Sequence, residues 1–264
     1  MPELPEVETV VRTVAPRLLG RQILRARFYS RFVMRDDAAK TAARLRGRRI
    51  EAVGRHGKFI LITLSGGLTL AIHLGMTGGL LWNAEPGPHA RAVFDLDAGR
   101  LVYDDPRQFG RIELCESMPE RAERLGPDAL EVGLEEFAAR LAARRGRIKP
   151  LLLNQAFLRG LGNIYVDESL FLARIHPLAL GTRLGPARVR RLHAAIQEVL
   201  RAAVEAGGSS ISDYVDADGR AGSFQVQHRV YGQEGAPCVR CGTPIRRIVV
   251  GQRGTHYCPM CQRA

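Results

Sequence analysis

Long apolar runs are missing from this 264-residue chain. None approaches the roughly 18 residues that a membrane-spanning helix needs, so no membrane partner is expected. The opening octet, Met1-Pro2-Glu3-Leu4-Pro5-Glu6-Val7-Glu8, is acidic where a signal peptide wants basic residues. The expectation is a soluble cytoplasmic protein. Cysteine is scarce outside the tail: four of the five fall in the last 27 residues. That clustering suits a metal better than a disulfide framework. Lysine is nearly absent, with Lys40, Lys58 and Lys149 the only three among 39 basic residues. Arginine keeps its proton in practice, whereas lysine can lose one and offers a compact point charge. The two retained at Lys58 and Lys149 therefore draw notice.

What is present bounds the rest. Hydrophobic residues make up 45% of the chain, enough for real cores and against disorder. The length allows one large domain, or two smaller ones with an appendage. The net charge of +12 and pI near 10.2 point to a polyanion, most simply nucleic acid.

If Met1 is removed, a proline secondary amine becomes the chain end, with the Glu3 carboxylate beside it. An α-amino group has a pKa of roughly 7.7–8.0, against about 10.4 for lysine. Its free-base fraction at neutral pH is thus a few hundredfold larger, to order of magnitude. A secondary amine attacking a sugar aldehyde carbon gives an iminium, which is covalent catalysis with an electron sink. Glu3 stands ready to move a proton at the same carbon. The plainer reading is a helix start, with Pro5 in the first turn and Glu6 and Glu8 at the positive dipole end. Both readings are open on these residues alone.

Apolar Val7, Val10, Val11, Val14 and Leu18 predict a helix over residues 5–19, with Pro16 distorting its last turn and Gly20 as stop. Seven strands are predicted over 22–29, 49–55, 59–64, 68–74, 92–96, 100–104 and 111–115, which argues for a β-sandwich. A short helix is expected within 35–48. Residues 118–134 read as a linker, and 134–145 as a helix. A further helix from Lys149 to about Leu158 meets a glycine turn, Arg159-Gly160-Leu161-Gly162. Asn163 then starts a helix to about Arg174, either as a plain N-cap or at a dipole end that holds phosphate. Residues 187–206 form a long amphipathic helix, and 209–224 a polar loop. Met76, between glycines, and Arg107 and Phe109, on a turn, are either core residues or a wedge for a base stack. Lys58 at a strand end and His89 at the surface are ordinary residues taken singly.

Cys238, Cys241, Cys258 and Cys261 form a C-x2-C-x16-C-x2-C array. Four thiolates close a tetrahedral structural Zn2+ site with no open position for catalysis. A hairpin between the pairs, 245–250 and 255–257, places Arg253 at its tip. So short a tail depends on zinc for its folding energy.

Three stretches together resemble the bacterial formamidopyrimidine-DNA glycosylase family: Pro2-Glu3-Leu4-Pro5-Glu6-Val7-Glu8-Thr9, Asn163-Ile164-Tyr165-Val166-Asp167-Glu168, and the four-cysteine tail. The likeness runs from residue 2 to about 262. It implies an α+β, multidomain protein: an N-terminal β-sandwich catalytic domain (1–118), a helix–two-turn–helix DNA-binding domain with a lesion-capping loop (119–224), and a C-terminal zinc-finger β-hairpin (225–264). It implies a bifunctional glycosylase and abasic-site lyase excising oxidised purines from damaged double-stranded DNA. Pro2 is the implied nucleophile, Glu3 the proton donor, and Glu6 a support. Lys58 and Arg253 are implied to hold phosphates and assist strand cleavage. His73, His89, Lys149 and Asn163 are implied DNA contacts, Met76, Arg107 and Phe109 the wedge, and Ser223 part of the capping loop. Gln108 and Gln233 stand where the family tends to be basic. A monomer at the bacterial nucleoid is expected. Two rivals are an endonuclease VIII-like enzyme for oxidised pyrimidines and a non-catalytic zinc DNA-binding module. Leu4 and the Gly222–Gln225 motif favour the purine branch.

Overall fold

The valines of the first helix share one face, and in the computed structural model that face is buried. The model describes residues 2–34, 36–211 and 213–263. Helix α1 (Leu4–Leu18) puts Val7, Val10, Val14 and Leu18 into the largest core. Pro16 lies in its last turn and the helix still reaches Leu18.

That core lies between two four-stranded antiparallel sheets. One has the order β1 (Ile23–Phe28), β6 (Ala90–Leu96), β7 (Arg100–Asp104), β5 (Gly79–Trp82). The other runs β2 (Ile50–His56), β3 (Phe59–Leu64), β4 (Leu68–His73), β8 (Arg111–Cys115). Period-two alternation explains the layering: Ile60, Ile62 and Leu64 of β3 are buried while their neighbours are half-buried. Helix α2 (Ala38–Leu45), capped by the Asp37 carboxylate, packs on β1. Strand β5 is missing from the sequence expectation, because Gly79-Leu80-Leu81-Trp82 is too short to show alternation.

By packing, the chain divides into two units: Met1–Arg124 with Ala206–Ser223, and Leu125–Glu205 with Phe224–Ala264. The stretch expected as a linker contains the four-residue α3 (Glu120–Glu123). The polar loop after residue 205 returns to the sandwich, and the cysteine tail packs with the helices.

In the second unit, α4 (Leu134–Ala142), α5 (Ile148–Leu153) and α6 (Asn163–Leu172) precede the long α7 (Pro186–Glu205). Helix α5 ends at Leu153 instead of about Leu158. Asn154 Oδ1 accepts the Ala156 N–H, and Gln155 Nε2 donates to the carbonyls of Leu153 and Leu161, so the chain turns early. Residues Ile164–Phe171 of α6 are buried throughout. The tail hairpin is β9 (Arg246–Val250) with β10 (Arg253–Tyr257).

Candidate active site

Pro2 is buried, immediately before the N-cap Glu3, which is extended at φ −104° and ψ −169°. The Glu3 N–H donates to Glu6 Oε2 at 2.7 Å. Glu6 Oε1 accepts the Ser209 N–H at 2.8 Å, and Tyr214 OH donates to the Glu6 carbonyl at 3.2 Å. A buried carboxylate that receives backbone N–H groups on both oxygens holds its surroundings firmly. Glu6 therefore fixes the backbone that presents Pro2 and Glu3. Gly208 is required opposite it: φ is +83°, and a Cβ there would lie 2.8 Å from Glu6 Oε1. Met1 lies outside the described residues.

Lys58 sits in the two-residue turn between β2 and β3, after Gly57 at φ +61°. Arg55 ties that hairpin to α1 through Glu8 Oε2 at 2.9 Å. Burial alone would raise the Glu8 carboxyl; hydrogen bonds from Arg55 and Arg12 outweigh it and hold its pKa below normal. The lysine skew has a structural counterpart. Lys58 is 8% exposed and Lys149 0%, while the Lys40 side chain is 84% exposed.

His73 pairs with Phe59 across β4 and β3, their rings edge to face at 5.0 Å. Burial, then the charges of Lys58, Arg111 and Arg121, hold its pKa down to about 4. Its Nδ1 accepts the Gly75 N–H at 3.1 Å. A neutral ring accepting at Nδ1 carries its proton on Nε2. His73 is thus a neutral donor.

The methionine and the arginine–phenylalanine turn are locked together through Asp105. Its Oδ1 accepts from Thr77 at 2.7 Å and its Oδ2 from the Gly110 N–H at 2.8 Å. A Cβ on Gly75 would meet the Gly110 nitrogen at 2.5 Å, and one on Gly110 the Tyr103 hydroxyl at 1.6 Å. Glycine at both positions lets the loops touch. Met76 is then 41% and Phe109 53% exposed, which excludes the core reading of both. The Arg107 guanidinium stacks 4.7 Å from the Phe109 centroid. Gln108 is at φ +56°, and its Oε1 accepts from Ser30 at 2.6 Å. His89 is exposed, and its carbonyl accepts the Asp105 N–H. Ser223 closes the base of the 206–223 loop, its N–H donating to the Ala206 carbonyl at 2.9 Å.

In the second unit the implied phosphate contacts converge on one carbonyl. Lys149 Nζ donates to the Gly254 oxygen at 3.1 Å, and Asn163 Nδ2 to the same oxygen at 2.9 Å. Lys149 also pairs with Asp167 at 2.6 Å, both side chains fully buried. Asn163 is the first residue of α6, not its cap; Gly162 at φ −137° is the N-cap. The Asn163 Nδ2 is directed at the hairpin. Arg253 is not at the hairpin tip. Gly251 and Gln252, at φ +57° and +62°, make the two-residue turn, and Arg253 opens β10 exposed, paired with Val250. The positive φ angles are those of a type I′ hairpin turn.

The four cysteine Sγ atoms all lie within 4.8 Å of one another. Cys241 to Cys258 and Cys241 to Cys261 are 3.5 Å, and Cys238 to Cys261 is 3.9 Å. A tetrahedron with Zn–S of about 2.3 Å has S···S edges of about 3.8 Å, so the thiolates fit the metal. The N–H groups of Arg240 and Cys261 point at Cys238 and Cys258 sulfur, at 3.4 and 3.3 Å.

Two acidic residues have roles that sequence reasoning did not assign. Asp167 Oδ2 accepts the His256 N–H at 2.9 Å, and Glu168 accepts from the N–H groups of Arg229, Val230 and Tyr231. Burial raises the Glu168 pKa in spite of those three donors. The two carboxylates dock the tail on α6. The available signal was a carboxylate pair inside an otherwise apolar helix, which burial obliges to find partners.

A sandwich with a proline–glutamate helix start, and a helix-turn-helix unit joined to a tetrathiolate hairpin, define a zinc-tailed DNA-binding class. Residues 1–112 match the formamidopyrimidine-DNA glycosylase N-terminal domain, 125–215 its H2TH domain, and 235–264 the zinc finger found in FPG and IleRS. The chain is 56% identical to the formamidopyrimidine-DNA glycosylase of Solibacter usitatus, over 100% of both chains. The crystal structure of MutM (Fpg) from Thermus thermophilus superposes with a TM-score of 0.90 at 44% identity, covering 99% of this chain and 98% of that one. A point mutant of Lactococcus lactis Fpg, in complex with Fapy-dG-containing DNA, gives 0.92 at 35%, covering 100% of each. The chain belongs to the formamidopyrimidine-DNA glycosylase family.

Proposed function

We propose that the chain excises oxidised purines, 8-oxoguanine and formamidopyrimidines, from damaged duplex DNA and then cleaves the strand. It is a DNA glycosylase with abasic-site lyase activity. The observation that carries the chemistry is the first turn of α1, where Glu6 fixes the backbone of Glu3 directly after Pro2. Freed of Met1, the Pro2 nitrogen attacks C1′ of the everted nucleotide while Glu3 gives a proton to the sugar ring oxygen. The base departs and an iminium remains. The iminium acidifies the neighbouring sugar protons, so β- and then δ-elimination break the strand on both sides of the site. Lys58 and Arg253 hold the flanking phosphates, where their positive charges stabilise the departing phosphate anions, and Lys58 is the one of the two able to give up a proton. Eversion costs a few kcal/mol, least for a damaged base. Met76, Arg107 and Phe109 fill the vacated stack, and the loop ending at Ser223 covers the everted base.

His73 supports this reading as a neutral donor to a phosphate, and His89 and the Lys149–Asn163–hairpin cluster serve as backbone contacts. Cys238, Cys241, Cys258 and Cys261 would hold one zinc ion, which supplies folding energy to the tail. Among the described residues no helix is long and apolar enough to cross a membrane. The enzyme works as a monomer on the nucleoid in the cytoplasm.

Borohydride reduction during turnover of an 8-oxoguanine duplex tests the assignment. A covalent adduct on the peptide that begins with Pro2 is expected. An adduct on Lys58 instead, or none, overturns it.

A further inference from the structure

The loop from Ala206 to Ser223 is fastened to α1 at both ends of that helix. At its start, Glu6 accepts the Ser209 N–H on its carboxylate and the Tyr214 hydroxyl on its carbonyl. Further along the helix, at ~1.5 Å of rise per residue, the last turn carries Arg17. Its guanidinium meets Asp218 with two N–H groups, Nη1 on Oδ1 at 2.5 Å and Nη2 on Oδ2 at 3.1 Å. Around Asp218 the loop carries hydrogen bonds of its own. Asp216 Oδ1 accepts the N–H groups of Asp218 and Arg220, both at 2.9 Å. The Trp82 N–H donates to the Ala217 carbonyl at 2.9 Å, extending β5, and the Ala217 side chain joins the sandwich core at 1% exposure.

We propose that Arg17 and Asp218 are a positioning pair: a latch on the far end of α1 that holds the 206–223 loop over the catalytic terminus. Neither residue touches the reacting atoms. Both are partly exposed, so the pair opens without disturbing the core. A two-point arginine–carboxylate contact fixes direction as well as distance. One helix thus sets two things at once, the place of Pro2 and Glu3 and the place of the loop. Arg220, with Nη1 3.9 Å from Asp218 Oδ2, is a poor substitute partner. The inference rests on the proposed function in one respect, that this loop covers the everted base. Covering matters while a base is present. An abasic site has none to cover, so its cleavage does not call on the latch.

The test compares single-turnover excision of 8-oxoguanine with cleavage of an abasic site in the same duplex. Asp218→Asn and Arg17→Ala are expected to slow excision roughly two- to fivefold, the scale of a partly exposed ion pair. Abasic cleavage stays at the wild-type rate. The swapped double variant Arg17→Asp with Asp218→Arg recovers most of the excision rate. Hydrogen exchange over residues 213–221 speeds up in the single variants and slows again in the swap. Unchanged excision, or an equal fall in both reactions, overturns the latch. The two readings fail separately: a wild-type enzyme without a borohydride adduct sinks the catalytic assignment, whereas unchanged loop exchange in Asp218→Asn sinks the latch.

Discussion

Replacing Lys149 with methionine probes how the cysteine hairpin is held. The ammonium and the Asp167 carboxylate are fully buried and 2.6 Å apart. Lys149 also reaches the Gly254 carbonyl, and Asp167 the His256 N–H, so strand β10 is held by the pair at two points. Burying two charges costs several kcal/mol per ion, and the pair regains it only while intact. Removing one partner strands the other, at a cost of about 3–5 kcal/mol. At ~1.4 kcal/mol per decade, amide protection in residues 253–257 should fall from about a hundredfold to about several thousandfold, provided the hairpin opens as one unit. Hydrogen exchange read by mass spectrometry on the zinc-loaded protein measures this. Asp167→Asn alone should do similar damage. Lys149→Met with Asp167→Leu should cost much less than the sum of the two singles, because no charge is left behind. A protection loss below about tenfold in Lys149→Met, or simple additivity in the double variant, refutes the reasoning.

Other outcomes follow from the same geometry. Cys258→Ser should lower bound zinc from one per chain to none and abolish tight DNA binding; full activity in that variant removes the tail from the scheme. Gly110→Ala, whose Cβ would meet the Tyr103 hydroxyl at 1.6 Å, should cost about 1–3 kcal/mol of stability and displace Phe109, weakening base eversion in a 2-aminopurine fluorescence assay. His73 is neutral when folded, with its pKa down at about 4 against 6.5 when unfolded. The unfolded chain binds the extra proton between those values, so stability present above pH 6.5 is lost as pH falls to 4, by up to about 1.4 kcal/mol per unit. Urea midpoints of His73→Gln should depend less on pH in that window; equal slopes for both proteins contradict the assigned burial. DNA affinity should fall steeply with salt as phosphate counterions are displaced, and a flat response rules out a phosphate clamp.

Sequence alone determined whatever is encoded locally or by spacing. The strands 59–64, 100–104 and 111–115 appear residue for residue, because alternation and flanking turns are short-range signals. The cysteine spacing specified the tetrathiolate cluster, and the retained lysines marked two buried positions in an arginine-rich chain. The proposed pairing of Pro2 with Glu3 needed no fold, because the chemistry of a free imino end depends on neighbours in sequence. Four features were decided only by the tertiary structure. Asn163 left the cap position because a carbonyl 91 residues away takes its amide. Arg253 moved off the tip because two left-handed residues complete the turn before it. Met76 and Phe109 became exposed because Gly75 and Gly110 let two distant loops close against Asp105. Asp167 and Glu168 became docking residues because buried carboxylates must find donors, and the donors come from a segment more than sixty residues further along the chain. No local pattern carries such pairings; they exist only once burial has made an unpartnered polar group too costly to keep.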